Sequence, residues 1–302
     1  MENSKSASTY LAWFLLILLS LVWGSSFILI KKALIAFTPM QVGAGRIVFA
    51  FLAFLPFFLR HIRRIDWSKF KWFAVVGLCG SGFPAFLFAI AQTNIDSSIA
   101  GVLNSLTPIF TFVLAVLIFK HAFSSKQLAG VVIGFLGVLC IFFTNQQEST
   151  TFAPAFALLI IVATLMYAIS ANTVGRFLKS VDPLIISTVS FVLIGPFVLI
   201  YLLGSGFVAQ MTSHEAGLSS TVALLILSLV GTFGANILFF KLVQLTDAVF
   251  SSSVSFIIPL VALFWGYIDG EHLSLLHFIS LLLILFGVLL IKRSTQKQLL
   301  KS

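Results

Sequence analysis

An all-α membrane protein of ten transmembrane helices, arranged as two inverted five-helix repeats, is the fold this sequence predicts. Three observations carry the prediction. Ten apolar stretches of spanning length fill almost all of the 302 residues; a bilayer core about 30 Å thick takes ~20 apolar residues as a helix. The second five stretches echo the first five at fixed offsets. The basic residues collect on one side of the topology that results. Composition agrees: 60% of residues are hydrophobic and 9% charged, against about 25% charged in a typical soluble domain. So few polar residues could not coat a soluble core.

The spans lie near 12–30, 39–59, 71–91, 98–119, 127–143, 154–174, 184–204, 219–241, 248–268 and 274–291. Span one carries Trp23 and Ser26. It has full spanning length and no obvious small-residue cleavage site, which argues against a signal peptide. Span two opens at Pro39 and holds Arg46, about 10 Å further along the axis at 1.5 Å per residue. Gly77, Gly80, Gly82 and Pro84 crowd span three and predict a bent or locally unwound helix. Ser81, Phe88 and Gln92 share one of its faces. Span four places Ser97, Gly101, Asn104 and Pro108 on one face, at intervals of four, three and four. Gly130, Gly134 and Gly137 give span five a small-residue stripe, fit either for packing inside the chain or for a homodimer contact. Span six carries Tyr167 and Ser170, and span seven opens at Pro183. Thr232, Asn236 and Phe239 share a face of span eight, and Ala248, Ser252, Ser255 and Pro259 a face of span nine. Span ten has few polar residues in its central part and runs into a basic tail.

At an offset of 144, Trp23 lies over Tyr167, Ser26 over Ser170 and Pro39 over Pro183; at 151, Asp96 meets Asp247, Pro108 meets Pro259 and Ser81 meets Thr232. Aspartates and prolines are scarce here, so their coincidence carries weight. An odd number of spans per repeat places the halves in opposite orientations. With both termini cytoplasmic, fifteen of the eighteen Lys and Arg fall inside, only Lys31 and Lys32 fall outside, and Arg46 lies within a span. Basic residues in short loops set orientation in that direction. The net charge of +9 therefore records topology, and no nucleic-acid partner is expected.

Cys79 and Cys140 fall inside spans, and the five His have no second ligand at metal spacing. No nucleotide loop, HExxH or paired carboxylate lies in a span, so neither an enzyme nor a primary pump fits, and no cofactor is expected.

The segments Leu21–Phe27 (LVWGSSF) and Ile30–Leu34 (IKKAL), Gly45-Arg46, the stretch from Ala91 to Pro108 and its counterpart from Thr246 to Pro259 followed by Gly270-Glu271 resemble the EamA-type branch of the drug/metabolite transporter superfamily. The resemblance covers residues 10–293, with one departure: Lys120-His121 stands where span four of the family usually ends in a Gly-Glu-like pair. It implies two repeats, at 10–145 and 152–293, in a multi-pass protein of the bacterial cytoplasmic (inner) membrane. It also implies a secondary transporter of small organic metabolites, amino-acid-like compounds or related solutes, that works by alternating access in the export direction among membrane lipids. A lipid flippase or scramblase and a non-transporting scaffold are the rival classes.

The residues expected to bind substrate are Trp23, Ser26, Arg46, Gln92, Asn104, Tyr167, Asn236 and Ser255. The two aromatics can stack on a solute; the hydroxyls and amides can hydrogen-bond it. Small polar residues also let membrane helices pack closely, so either role fits the serines. Arg46 either snorkels to a helix end or neutralises an anion, since none of the nine acids lies in a span core. Without a mid-membrane carboxylate, either facilitated exchange or coupling through an end-placed acid such as Asp96, Asp247 or Glu271 is expected.

Overall fold

A computed structural model describes residues 2–95, 97–121, 124–144, 154–268 and 275–299. Asp96, Gly270, Glu271 and His272 therefore lie outside the described residues. The described chain is helical almost throughout. We label the helices α1 (Thr9–Ala33), α2 (Pro39–Arg64), α3 (Trp67–Ala91), α4 (97–117), α5 (Ser125–Thr144), α6 (Pro154–Phe177), α7 (Pro183–Gly204), α8 (Gly217–Leu245), α9 (248–268) and α10 (Leu275–Leu299). Seven of these, α1–α4 and α6–α8, are long and apolar enough to cross a membrane; within α5 and α9 the shorter stretches Ser125–Cys140 and Ala248–Val261 are apolar.

Local chemistry sets the ends. Thr38 closes a capping box on α2, accepting from the Gln41 amide at 3.3 Å while its own amide donates to Gln41 Oε1 at 2.9 Å, and Pro39 sits at the first helical position. The same site in the second half is Asp182, which accepts from the Leu184 amide at 2.7 Å ahead of Pro183. Asp247 caps α9 through the Phe250 amide at 2.7 Å.

The glycine-rich part of α3 is a wide π-helical turn, Leu78–Gly82, and α8 contains another, Leu229–Gly234. Their first residues are 151 apart, the repeat offset. Such turns are rare and frequently mark functional sites. α4 breaks at Ser105–Leu106, and α9 breaks at Ser253.

The packing pairs equivalent helices. α2 packs on α7 and α5 on α10; α1 packs on α8 and α9, as α6 packs on α3 and α4. In the first two pairs the helices run antiparallel. Gln41, near the start of α2, donates to the Ser205 carbonyl just past the end of α7 at 2.9 Å, while Phe54 stacks on Phe191 at 5.2 Å. Between them Phe51 meets Gly195, its own counterpart at offset 144; a Cβ on Gly195 would lie 2.2 Å from the Phe51 ring. In the other pair, a Cβ on Gly130 would lie 2.6 Å from the Gly287 carbonyl, and one on Gly137 would lie 3.0 Å from that of Ser280. The small-residue stripe of α5 thus serves contact within the chain, because only hydrogen atoms at these positions let the two backbones come so close.

Candidate functional site

Between the halves lies a cavity of about 90 Å³, walled by α1, α2, α3, α4, α6, α8 and α9. Seven of the eight residues expected from sequence line it: Trp23, Ser26, Arg46, Asn104, Tyr167, Asn236 and Ser255. Gln92 does not. It follows the last turn of α3, where its amide donates to Ser97 Oγ at 3.0 Å and to the Phe27 carbonyl at 3.3 Å. Phe88, one regular turn earlier, does line the cavity; the helix ends at Ala91, and the Gln92 amide is turned to Ser97 and Phe27 instead.

Repeat-equivalent residues build the walls in matching pairs. Trp23 packs on Phe239 with centroids 5.2 Å apart, and Tyr167 stacks on Phe88 at 6.0 Å. Ser26 faces Gly231, where a Cβ would come within 3.0 Å of its hydroxyl; Ser170 faces Gly80 in the same way at 2.6 Å. Asn104 and Ser255, themselves 151 apart, meet directly: Asn104 Nδ2 donates to Ser255 Oγ at 3.3 Å. Ser105 reinforces this crossing of α4 and α9 by donating to the Ser255 carbonyl at 2.9 Å. Asn104 is buried, and its Oδ1 has no hydrogen-bond partner. A buried acceptor left open in this way is uncommon and costly, which marks it as a position for a donor brought by a ligand or water.

The cavity is less symmetric in its charge. Trp23 donates through Nε1 to the Gly231 carbonyl at 2.8 Å, in the wide turn of α8. One residue on, Thr232 Oγ1 accepts from Arg46 Nε at 2.7 Å and donates to the Leu227 carbonyl at 3.2 Å, while Asn236 Nδ2 donates to the Thr232 carbonyl at 2.8 Å. The Tyr167 phenol lines the same space as the Arg46 guanidinium. Arg46 therefore points inward, and no carboxylate lines the cavity among the described residues.

Thr107, Ser252 and Phe27 also line the cavity, and sequence reasoning left them out of the site. Thr107 and Phe27 stand three and four residues beyond Asn104 and Trp23, so helical spacing alone extends the face to them. Asp247 lies elsewhere. Its carboxylate accepts from Gln127 at 3.2 Å and from Thr295 at 2.5 Å, tying the start of α9 to α5 and α10.

A polar, aromatic-walled chamber enclosed by membrane-length helices is the interior of a membrane carrier. The sequence profile of the EamA-like transporter family matches residues 11–143 and again 155–293. The chain belongs to that family: it is a multi-pass membrane transporter, not an enzyme, and its halves are duplicates. It is 23% identical over 280 residues to the uncharacterized inner membrane transporter YedA of Escherichia coli, covering 90% of this chain and 88% of that one. It is 27% identical over 126 residues to a probable amino-acid metabolite efflux pump of Salmonella typhimurium, covering 42% and 41% of the two chains. A solved crystal structure superposes with a TM-score of 0.70 over 97% of this chain and 99% of the other, at 15% identity, a likeness of fold.

Proposed function

We propose that the protein exports small organic metabolites, amino-acid-like compounds or related solutes, across the inner membrane by alternating access. Ten helices in two oppositely inserted repeats, 10–145 and 152–293, rock about the central cavity with both termini cytoplasmic. Trp23 and Tyr167 stack on the solute, Asn104, Asn236, Ser26 and Ser255 hydrogen-bond it, and Arg46 receives its carboxylate.

One observation carries this reading: the cavity draws on both halves, and equivalent residues meet across it at Asn104 and Ser255. The antiparallel pairing of α2 with α7 and of α5 with α10 supports opposite insertion. The printed name of the Salmonella relative supports the solute class. At about 90 Å³ the chamber is smaller than the roughly 300–1,000 Å³ usual for ligand pockets. Admitting a metabolite then requires the helices to part.

Proteoliposomes loaded with unlabelled amino acids and assayed for uptake of the labelled compounds test the proposal. Counterflow without an ion gradient supports exchange. Transport that vanishes when the proton gradient is collapsed supports coupling through an acid at a helix end, and absence of uptake for every amino acid and related polar metabolite contradicts the proposal.

A further inference from the structure

Arg46 presents a charge that no acid among the described residues lining its cavity balances. Its Nε donates to Thr232 Oγ1 at 2.7 Å, and the Tyr167 phenol lines the same space. Both are neutral groups, since a phenol loses its proton only near pH 10 in water. A guanidinium carries five N–H donors, and this one lines the cavity. Cations at membrane depth pair with an anion or a backbone carbonyl, and a buried charge without a partner is strongly destabilising. No Asp or Glu lines this cavity among the described residues. An anion from solution would supply the counter-charge that the described lining does not.

We propose that Arg46 holds a small inorganic anion, of which chloride is the most abundant candidate, whenever no organic solute occupies the cavity. The donors fit. Beside Arg46 stand Tyr167, Ser81 and Ser170, whose hydroxyls can also donate, all lining the same space. The size fits as well. At about 90 Å³, and roughly 10–15 Å³ of such space per water, the chamber takes one small ion with a few waters and is tight for a metabolite. The consequence reaches the transport cycle. If each half-cycle closes over an anion, inorganic or organic, the closed cavity never holds a bare guanidinium, and the carrier becomes an exchanger of a solute carboxylate for chloride. The inference rests on the cavity being the transport site, but the binding step needs no organic solute.

The test uses the purified full-length protein, with melting temperature followed against chloride at constant ionic strength, the bulky sulfonate 2-(N-morpholino)ethanesulfonate serving as the replacement anion. A ligand of the folded state raises the melting temperature as its concentration passes the dissociation constant. The wild type is expected to climb with chloride and stay flat in the sulfonate; Arg46→Gln should lose the response. Should Arg46→Gln fail to fold, Tyr167→Phe, which keeps the charge and removes one donor, should weaken the apparent chloride affinity several-fold. Counterflow of radioactive chloride into chloride-loaded proteoliposomes gives a second readout, expected at least tenfold above Arg46→Gln or, failing that variant, above protein-free vesicles. Equal melting in chloride and the sulfonate, or a chloride response that survives Arg46→Gln, overturns the inference. A chloride response in a protein that moves no organic solute leaves it standing while the proposed export fails. Organic transport indifferent to chloride, with no chloride response in melting, does the reverse.

Discussion

Arg46 and Asn104 are the side chains whose chemistry the lipid surroundings make most demanding, and each points into the cavity. A hydrogen bond to a charged group contributes about 1.5–3 kcal/mol, so Arg46→Gln should lower transport of carboxylate-bearing solutes roughly tenfold to a hundredfold. Neutral solutes should suffer less; equal loss for both in a flux assay would leave Arg46 a structural role only. Trp23→Phe keeps the packing on Phe239 but removes the donor to the Gly231 carbonyl. The loss should cost about 0.5–1.5 kcal/mol of stability, visible in melting, and no change at all would mean that the carbonyl finds water instead. These residues were legible in the sequence because a polar group among apolar neighbours stands out. Gln92 was misplaced for a physical reason: the helix stops at Ala91, and its amide bonds Ser97 and the Phe27 carbonyl rather than facing the cavity. That Asn104 would meet Ser255 could not be read from the offset that relates them, since equivalence does not say where the symmetry axis passes.

Among the elements, the helices were the most legible part, because unbroken apolar runs leave the backbone no partner except itself. All ten stretches are helical, seven of them long and apolar enough to cross a membrane, and α10 runs eight residues past its expected end. The glycines of span three signalled an irregular helix, but its form, a π-helical turn matched by another in α8, depends on contacts that arise only in the packed bundle. Packing also decides which glycines matter. At Gly287 a Cβ would sit 2.6 Å from the Gly130 carbonyl and from the Gly134 nitrogen, backbone atoms that have little room to yield. Gly287→Ala should therefore destabilise by about 1–3 kcal/mol, as overpacking does. At Gly101 the nearest atom is 3.8 Å away, so Gly101→Ala should leave the melting temperature nearly unchanged. Similar losses for both substitutions would contradict the assigned contact of α5 with α10. Gly195→Ala should also destabilise, and Phe51→Leu should restore part of the loss, because the two residues share one crossing and their effects should couple.

For the whole molecule, duplication, crossing pattern and cavity form one argument. Two copies of one five-helix unit, inserted in opposite senses as proposed, would bring equivalent residues together wherever the axis relating them passes, and Phe51 meets Gly195 and Asn104 meets Ser255. The chamber then forms at the middle, from the faces that both copies leave polar. The measurement that tests this most directly is thiol labelling at Ser26→Cys and Ser170→Cys, one position from each repeat, with Cys79 and Cys140 first replaced by Ala. In sealed vesicles, a small, charged, membrane-impermeant reagent added to one face should label both cysteines, because each lines a wet cavity that opens to either side in turn. Labelling of both by a lipid-soluble maleimide, with neither reached by the charged reagent from either face, would contradict the account.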